Sequence, residues 1–172
     1  MESEAEASFT RWAGDRQLAL LRTAVLLTGD HHRAEDLVQD ALAKVAARWS
    51  RLRDQAPEAY ARQVIVRTNI SWWRKHRREL VAEPAETAVA GGERAADRRM
   101  LLDRALERLT AKQRSTVVLR YYDDLSERET ADALGVSLGT VKSTTHSALR
   151  RMRESSPELA ELLGDLSVEG IP

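Results

Sequence analysis

One stretch, LSERETADALGVSLGTVKSTTHSALRRMR at residues 125–153, constrains the fold more than any other part of the chain. Ser126 and Glu129 have the spacing of a capping box, in which a hydroxyl and a carboxylate each satisfy a backbone amide at a helix start. Gly135 predicts the end of that helix, because glycine enters the left-handed conformation without steric cost. Ser137 can then cap a second helix. The stretch therefore predicts a helix-turn-helix.

The second helix of this pair has an apolar face and a polar, basic face. Its apolar residues recur at helical spacing and are expected to pack on the first helix. The outward residues include no carboxylate, and they are Thr140, Lys142, Ser143, Thr144, His146, Ser147, Arg150, Arg151 and Arg153. Small donors and a lysine can reach base edges, while terminal arginines can hold phosphates. We interpret this face as DNA-binding; the alternative is a solvated helix with an ordinary basic C-terminus.

The basic and acidic residues are unevenly distributed, although 27 of each give a formal net charge of zero. Residues 62–78 contain six basic residues and no acidic one, whereas residues 154–172 contain five acidic residues and no basic one. The average charge therefore conceals basic faces that suit nucleic acid. The chain has no cysteine, which excludes disulfides and thiolate metal sites. Its most apolar stretch, residues 18–27, is too short to span a bilayer, and no signal peptide is recognised.

The first third of the chain predicts two helices and a surface for a partner. Apolar residues at helical spacing predict a helix over residues 8–28, which Gly29 ends. Asp30 can cap a second helix, whose apolar face is predicted to extend to Trp49. Its other face carries polar groups that a small bundle does not require, namely Asp36, Gln39, Asp40 and Lys44.

A loop over residues 50–57 is predicted to lead into a helix over residues 58–79 that mixes aromatic and basic side chains. Pro57 suits the first helical position. Aromatic rings can stack on unpaired bases while cations neutralise phosphates. The alternative is that Trp72 and Trp73 belong to the core and the arginines are solvated.

Residues 80–97 have the Ala, Glu, Pro and Gly composition of a flexible tether. Helical periodicity returns near Arg98, and Thr110 with Gln113 predicts another capping box. The predicted fold class is all-α, with two small helical domains joined by a flexible linker.

The chain has one basic helix suited to duplex DNA and another suited to exposed bases. In this it resembles the bacterial extracytoplasmic-function sigma factors of RNA polymerase, in particular the actinobacterial SigE-like type. The resemblance covers about residues 8–155. Its most specific parts are AEDLVQDALAKVAARW at 34–49, KQRSTVVLRYYDDLS at 112–126 and LGVSLGTVKS at 134–143.

The resemblance implies a domain organisation and partners. Sigma domain two is expected at residues 8–79, a linker at 80–97, and sigma domain four at 98–155, followed by an acidic tail at 156–172. The expected partners are promoter DNA and core RNA polymerase, contacted at the clamp of its largest subunit and the flap of its second-largest subunit. An anti-sigma factor is a further candidate partner. A sigma factor is not an enzyme, and it requires no catalytic residue, cofactor, metal or membrane insertion. Its expected location is the cytoplasm, at the nucleoid.

The resemblance also assigns roles to particular residues. The polymerase-binding residues are expected to be Asp36, Gln39, Asp40 and Lys44. The residues that contact the minus-ten element are expected to be Arg62, Arg67, Asn69, Trp72, Arg74, Lys75, Arg77 and Arg78. The residues that read the minus-thirty-five element are expected to be Thr140, Lys142, Ser143, Thr144, His146, Ser147, Arg150 and Arg151.

At four positions the chain departs from the family pattern. Arg67 stands where many members have Asn, and Ser71 where many have Asp. Thr144 and Ser147 replace common arginines, which should alter promoter preference.

The sequence leaves three alternatives to the sigma factor. A free-standing helix-turn-helix regulator would explain only the second half of the chain. An enzyme would depend on His31, His32 and Glu35 as metal ligands, and a protein-interaction module would make both basic faces incidental. Leucines at helical spacing among the acids of residues 156–172 motivate one more hypothesis, in which the tail covers a basic face and weakly inhibits DNA binding.

Overall fold

The structure is a computed structural model that describes residues 2–76 and 93–156. Residues 157–172 of the predicted tail 156–172, and most of the predicted linker, lie outside this part. Every regular element within it is helical, which confirms the all-α prediction. In chain order the helices are α1 (Glu2–Thr28), α2 (His31–Ala46), α3 (Trp49–Leu52), α4 (Pro57–His76), α5 (Glu93–Glu107), α6 (Ala111–Val117), α7 (Glu127–Leu134) and α8 (Leu138–Ser155).

Helices α1 to α4 form the amino-terminal domain, in which α1 and α4 both pack against α2 and against each other. Leu27, Val45 and Ile65 are fully buried at the centre of this bundle. Gly29 ends α1 with a φ of +71°, and the Asp30 side chain accepts a hydrogen bond of 2.9 Å from the backbone amide of Arg33. The predicted helix end and helix cap are therefore confirmed. None of the helices in residues 2–76 and 93–156 is long and apolar enough to cross a membrane.

The prediction for the region after α2 was wrong in one respect. Helix α2 ends at Ala46, and Trp49 begins the separate helix α3 within what was predicted as the end of α2 and the loop 50–57. Trp49 is 8% exposed, and its ring centroid lies 5.5 Å from that of Phe9 and 5.4 Å from that of Trp12. Trp49 packs against Phe9 and Trp12 of α1. We attribute the turn after Ala46 to this packing, which places Trp49 in a helix of its own.

The helix-turn-helix forms as predicted. The Ser126 hydroxyl accepts from the Glu129 amide at 3.2 Å, and the Glu129 carboxylate accepts from the Ser126 amide at 2.8 Å. Hydrogen bonds from the Ser126 side chain and backbone lower the pKa of Glu129. Gly135 adopts a left-handed φ of +67°, and the Ser137 hydroxyl accepts from the amide of Thr140 at 3.1 Å. These local signals set both helix starts and the turn between them.

Helix α5 begins earlier than predicted, at Glu93 rather than near Arg98. Glu, Ala and Arg dominate residues 93–98, and these residues favour a helix even without an apolar face. Hydrophobic periodicity was therefore the wrong guide to this boundary. The capping box at Thr110 and Gln113 is present at the start of α6, which continues into a π-helical turn over Val118–Tyr122.

One hydrophobic cluster extends across both domains, which the sequence did not predict. Helices α5 to α8 form the carboxy-terminal domain, where Leu106 and Met152 lie in a buried cluster. Val118, Leu119, Ala133 and Leu134 of this domain are buried in the same cluster as the core of the amino-terminal domain. Among the described residues, helices α4 and α7 make the most extensive contact between the two domains.

Candidate nucleic-acid and polymerase interfaces

The outward face of α8 is open to solvent. Val141 and Ala148 are fully buried and fix the rotation of the helix about its axis. The predicted contact residues are all brought together on the opposite side, where Lys142, Ser143, His146, Arg150 and Arg151 are exposed and Thr140, Thr144 and Ser147 are partly exposed. This is the geometry that a helix needs to enter a major groove.

Several polar contacts hold residues of this face in place. The Lys142 ammonium lies 3.8 Å from the Glu127 carboxylate on α7, and the Lys142 side chain is 57% exposed. The Ser147 hydroxyl accepts a hydrogen bond of 2.7 Å from the side-chain amide of Gln113 on α6. Because an exposed ion pair is weak, Lys142 can exchange Glu127 for a DNA group at little cost.

The predicted minus-ten residues of α4 fall into different environments. Arg74 and Lys75 are exposed near its end, and Arg77 and Arg78 lie outside the described residues. Asn69 is fully buried, which contradicts its assignment as a DNA contact in this conformation. Its amide accepts from the Arg33 guanidinium at 2.9 Å and donates to the Leu27 carbonyl at 3.3 Å, so it joins α1, α2 and α4.

Trp72 is covered on both faces of its ring. The Arg33 guanidinium carbon lies 3.4 Å from the ring centroid, and the His76 ring is stacked at 4.3 Å with an interplanar angle of 18°. At these distances the Arg33 guanidinium and the His76 ring would overlap if they lay on the same face of Trp72, so they lie on opposite faces. Burial lowers the pKa of Arg33, and the nearby Asp30 carboxylate acts in the opposite direction. A base could therefore stack on Trp72 only after His76 or Arg33 moves.

The four residues predicted to bind polymerase share one surface of α2. Asp36, Gln39 and Asp40 are exposed, and Lys44 is partly exposed. The Lys44 ammonium lies 2.6 Å from the Asp40 carboxylate, an (i, i+4) pair on the solvent side of the helix. This polar surface is open to a partner while the opposite face of α2 belongs to the core.

Sequence reasoning missed Arg114, a buried cation on α6. Its side chain is 6% exposed, and its Nε atom donates to the Leu26 carbonyl at the end of α1. Burial lowers the pKa of Arg114, while Glu107 and Asp103 act in the opposite direction. A signal was available, because Arg114 precedes the apolar pair of residues 117 and 118 by three and four residues and so lies on the buried stripe of its helix.

Asp123 was also missed, although it joins the two domains. Its carboxylate accepts hydrogen bonds from the Thr23 hydroxyl at 2.7 Å and from Nε of Arg62 at 3.0 Å. Its side chain is only 7% exposed. Neither partner is near Asp123 in sequence, so no local pattern pointed to this contact.

The two histidines of the metal-site hypothesis lie beside the Glu35 carboxylate at exposed positions. Nδ1 of His31 and of His32 lie 3.5 and 3.7 Å from the Glu35 carboxylate, and the two histidine side chains are 64% and 96% exposed. Among the residues that the structure describes, no three His, Cys, Asp or Glu side chains are grouped as metal ligands. This geometry gives the metal-site hypothesis no support.

Comparisons with known proteins match both halves of the chain. Residues 15–79 match the family described as Sigma-70 region 2, and residues 99–152 match the family described as Sigma-70, region 4. These segments contain helix α2, the basic helix α4 and the helix-turn-helix.

Individual relatives extend over most of the chain. The RNA polymerase sigma-E factor of Streptomyces coelicolor is 45% identical over 150 residues, covering 85% of this chain and 84% of the relative. The ECF RNA polymerase sigma factor SigL of Mycobacterium tuberculosis is 35% identical over 165 residues, covering 90% and 93%. Among solved structures, the sigma factor RpoE in complex with the anti-sigma factor NepR from Bartonella quintana has a TM-score of 0.70 at 27% identity, covering 86% of this chain and 95% of that one. The chain belongs to the extracytoplasmic-function sigma factors of RNA polymerase and is similar to the SigE type.

Proposed function

We propose that this sigma factor divides promoter recognition between its two domains. Domain two, residues 8–79, docks on the clamp of core RNA polymerase through α2 and captures the minus-ten element with α4. Domain four, residues 98–155, reads the minus-thirty-five element with α8 and contacts the flap. The observation that carries this proposal is the exposed, carboxylate-free outer face of α8 between residues 140 and 151.

The dimensions and chemistry of α8 support the major groove as its site. A major groove admits one α-helix, and its base edges present patterns that distinguish all four base pairs. The amino-terminal turns of α8 offer Thr140, Lys142 and Ser143 to such edges, while Arg150 and Arg151 lie towards its other end. Cations at that end suit the phosphates that flank the groove.

Strand opening needs no catalytic residue in this chain. An extruded base costs a few kcal/mol of lost stacking and pairing, which protein pockets and phosphate contacts offset. The exposed cations Arg74 and Lys75 can supply phosphate contacts near the end of α4. Core polymerase supplies the chemistry of RNA synthesis, so this protein acts through binding free energy alone.

Run-off transcription with purified core polymerase tests this function. Templates should cover the DNA upstream of the gene that encodes this protein, and reactions should be compared with and without the protein. We expect a defined transcript only when the protein is present, and mapping its start should place both promoter elements. No transcript, combined with tight binding of the isolated protein to duplex DNA, would indicate a free-standing regulator instead.

An anti-sigma factor is a further proposed partner, because the structural neighbour RpoE was crystallised with one. The proposed site of action is the nucleoid in the cytoplasm, where polymerase and promoter DNA are found.

The Asp40→Arg variant should bind core polymerase at least about tenfold more weakly, because like charges placed across an interface cost energy on the order of kcal/mol. The substitution also replaces the 2.6 Å contact with Lys44 by repulsion. Binding should be measured by titrating core polymerase into fluorescently labelled sigma factor. The matched control is Asp15→Arg, which makes the same charge change at an exposed position of α1. Equal affinities for the two variants would contradict the assignment of α2 as the docking helix.

A further inference from the structure

We infer that the acidic tail docks, through its leucines, in an apolar groove between α1 and α5 of the same chain. The tail residues concerned are 157–172, which lie outside the described part of the structure. The residues that line the groove are not among those proposed to contact DNA or polymerase. The inference therefore goes beyond the proposed function and does not depend on it.

The groove has a volume of about 480 Å³ and a largely apolar lining. Helix α1 supplies most of this lining, α5 adds one side chain, and the π-helical turn after α6 adds another: Leu18, Leu21, Val25, Leu26, Leu102 and Tyr122. Several of these side chains are exposed to solvent, and Tyr122 is 51% exposed. Exposed apolar surfaces with polar edges often mark interaction sites, because covering them removes apolar area from water.

Helix α8 ends beside this groove. Met152, in its last turn, is almost fully buried in the cluster against which Leu26 and Leu101 pack. Leu26 lines the groove, and Leu101 adjoins the lining residue Leu102. The amide of Ser156 donates to the Met152 carbonyl at 3.0 Å, and Ser156 is itself buried. The chain therefore enters the tail close to one end of the groove.

The sequence of the tail has the pattern of a short amphipathic helix. Ser156 leaves the helical conformation, with φ of −146° and ψ of 85°, and Pro157 suits the first position of a new helix. Leucines then recur at helical spacing, at Leu159, Leu162, Leu163 and Leu166. A helix of this length is marginally stable in water by itself, so it needs an apolar surface on which to pack.

The leucines of the tail and the groove have matching lengths. Leu166 follows Leu159 by seven residues, which is about 10 Å along a helix at about 1.5 Å per residue. On α1 the lining residues run from Leu18 to Leu26, about 12 Å by the same measure. Leu18 lies at the end of the groove farther from α8, since Leu26 packs on the cluster that contains Met152. The tail is therefore long enough to cover the groove.

The charges of the tail and of the groove are complementary. Residues 157–172 contain four acidic residues and no basic one. The edge of the groove carries Arg22, His31 and Arg99, together with one carboxylate, Asp103, among the described lining residues. Exposed ion pairs contribute little individually, so the leucines supply most of the binding and the charges favour this site over others.

The outer face of α8 is a poorer site for the tail. Its outward residues between 140 and 151 are polar or basic, so they could attract the carboxylates of the tail but would leave its leucines in water. Burial of apolar surface contributes more free energy than exposed ion pairs do. Docking in the groove therefore differs from the hypothesis that the tail inhibits DNA binding, because it leaves the outer face of α8 open.

The Leu102→Glu variant of the full chain tests the groove by placing a carboxylate among its apolar residues. Leu102 is 38% exposed, and glutamate favours a helix about as strongly as leucine, so α5 should remain folded. The matched control is Leu138→Glu, the same change at the start of α8, where the leucine is 41% exposed. A second variant, Leu162→Glu, alters the tail and leaves every described residue unchanged. Circular dichroism should show that all three variants remain folded.

Hydrogen exchange followed by mass spectrometry measures docking of the tail directly. In the parent chain we expect the amides of residues 159–166 to exchange at least about tenfold more slowly than those of a synthetic peptide of residues 157–172. Leu102→Glu and Leu162→Glu should each raise the exchange rate to that of the peptide. The Leu138→Glu control should keep the slow exchange of the parent chain.

Tail amides that exchange in the parent chain at the rate of the peptide would overturn the inference, as would slow exchange that survives in folded Leu102→Glu. Slow exchange that develops only as protein concentration rises, with a dimer in sedimentation, would give the groove to the tail of a second copy and overturn docking within one chain. Affinity for duplex DNA should be the same for Leu162→Glu and the parent chain. Tighter DNA binding by Leu162→Glu would instead place the tail over α8.

Discussion

Replacing Trp49 with alanine should lower the free energy of unfolding by about 3–5 kcal/mol, the usual range for truncating a large buried aromatic side chain. Trp49 is 8% exposed and packs edge-on against Phe9, with Trp12 as its other aromatic neighbour. Its indole nitrogen donates to the Ser8 hydroxyl at 2.7 Å, so truncation also leaves that hydroxyl without its donor. The expected loss of stability has three causes, namely the cavity left by the indole, the lost aromatic contacts with Phe9 and Trp12, and the lost hydrogen bond to Ser8.

Urea denaturation followed by circular dichroism measures this effect. The control is Leu18→Ala, which removes an apolar side chain from the same helix bundle at a position that is 55% exposed. Substitutions at such surface positions usually change stability by less than about 0.5 kcal/mol. If Trp49→Ala unfolded at the same urea concentration as Leu18→Ala, the aromatic cluster would not hold α3 in place.

Trp49 also shows where sequence reasoning reached its limit. Its spacing after residues 37, 41 and 45 continues the apolar stripe of α2, and nothing local marks the end of that helix at Ala46. The position of α3 follows from contacts with Phe9, about forty residues earlier in the chain. Periodicity identified Trp49 as a core residue correctly, but the helix to which it belongs is set by tertiary packing.

Helix caps and the helix-turn-helix were predictable because their causes are local. Ser126 and Glu129 are three residues apart, and a conformation that only glycine adopts easily ends α7 at Gly135. The outer face of α8 followed from the same logic, since fixing Val141 in the core fixes which residues point outward. Polar contacts between distant segments could not be found in this way.

Asn69 and Arg67 illustrate that second class. In the sequence both lie in a basic, aromatic helix, and both were assigned to DNA by position in the family pattern. The structure gives Asn69 to the core, where the Arg33 guanidinium and the Leu27 carbonyl satisfy its amide. It gives Arg67 to the carboxyl end of α7. Which of several polar residues faces DNA therefore depends on the positions of the other helices, and a one-helix pattern does not contain that information.

The Lys142→Glu variant should bind a duplex that carries the minus-thirty-five element about 5- to 150-fold more weakly, which corresponds to about 1–3 kcal/mol for a lost base or phosphate contact. Lys142 is the only lysine on the outer face of α8, and its side chain is 57% exposed. The substitution removes one favourable charge and adds a carboxylate facing the phosphates. Its effect should come from DNA contact rather than unfolding, because the side chain is not part of the core.

Fluorescence anisotropy at two salt concentrations separates a specific contact from a general charge effect. The control Arg11→Glu makes the same change in net charge at an exposed position of α1, far along the chain from the helix-turn-helix. Affinity for DNA falls as the salt concentration rises, and the slope is proportional to the number of phosphates that the protein neutralises. Lys142→Glu should therefore reduce this slope, whereas Arg11→Glu should leave it close to the parent value. Glu127 lies 3.8 Å from Lys142, and the new carboxylate would repel it, so helicity should be compared as well. Equal losses of affinity in both variants would mean that net charge, and not the face of α8, governs binding to the duplex.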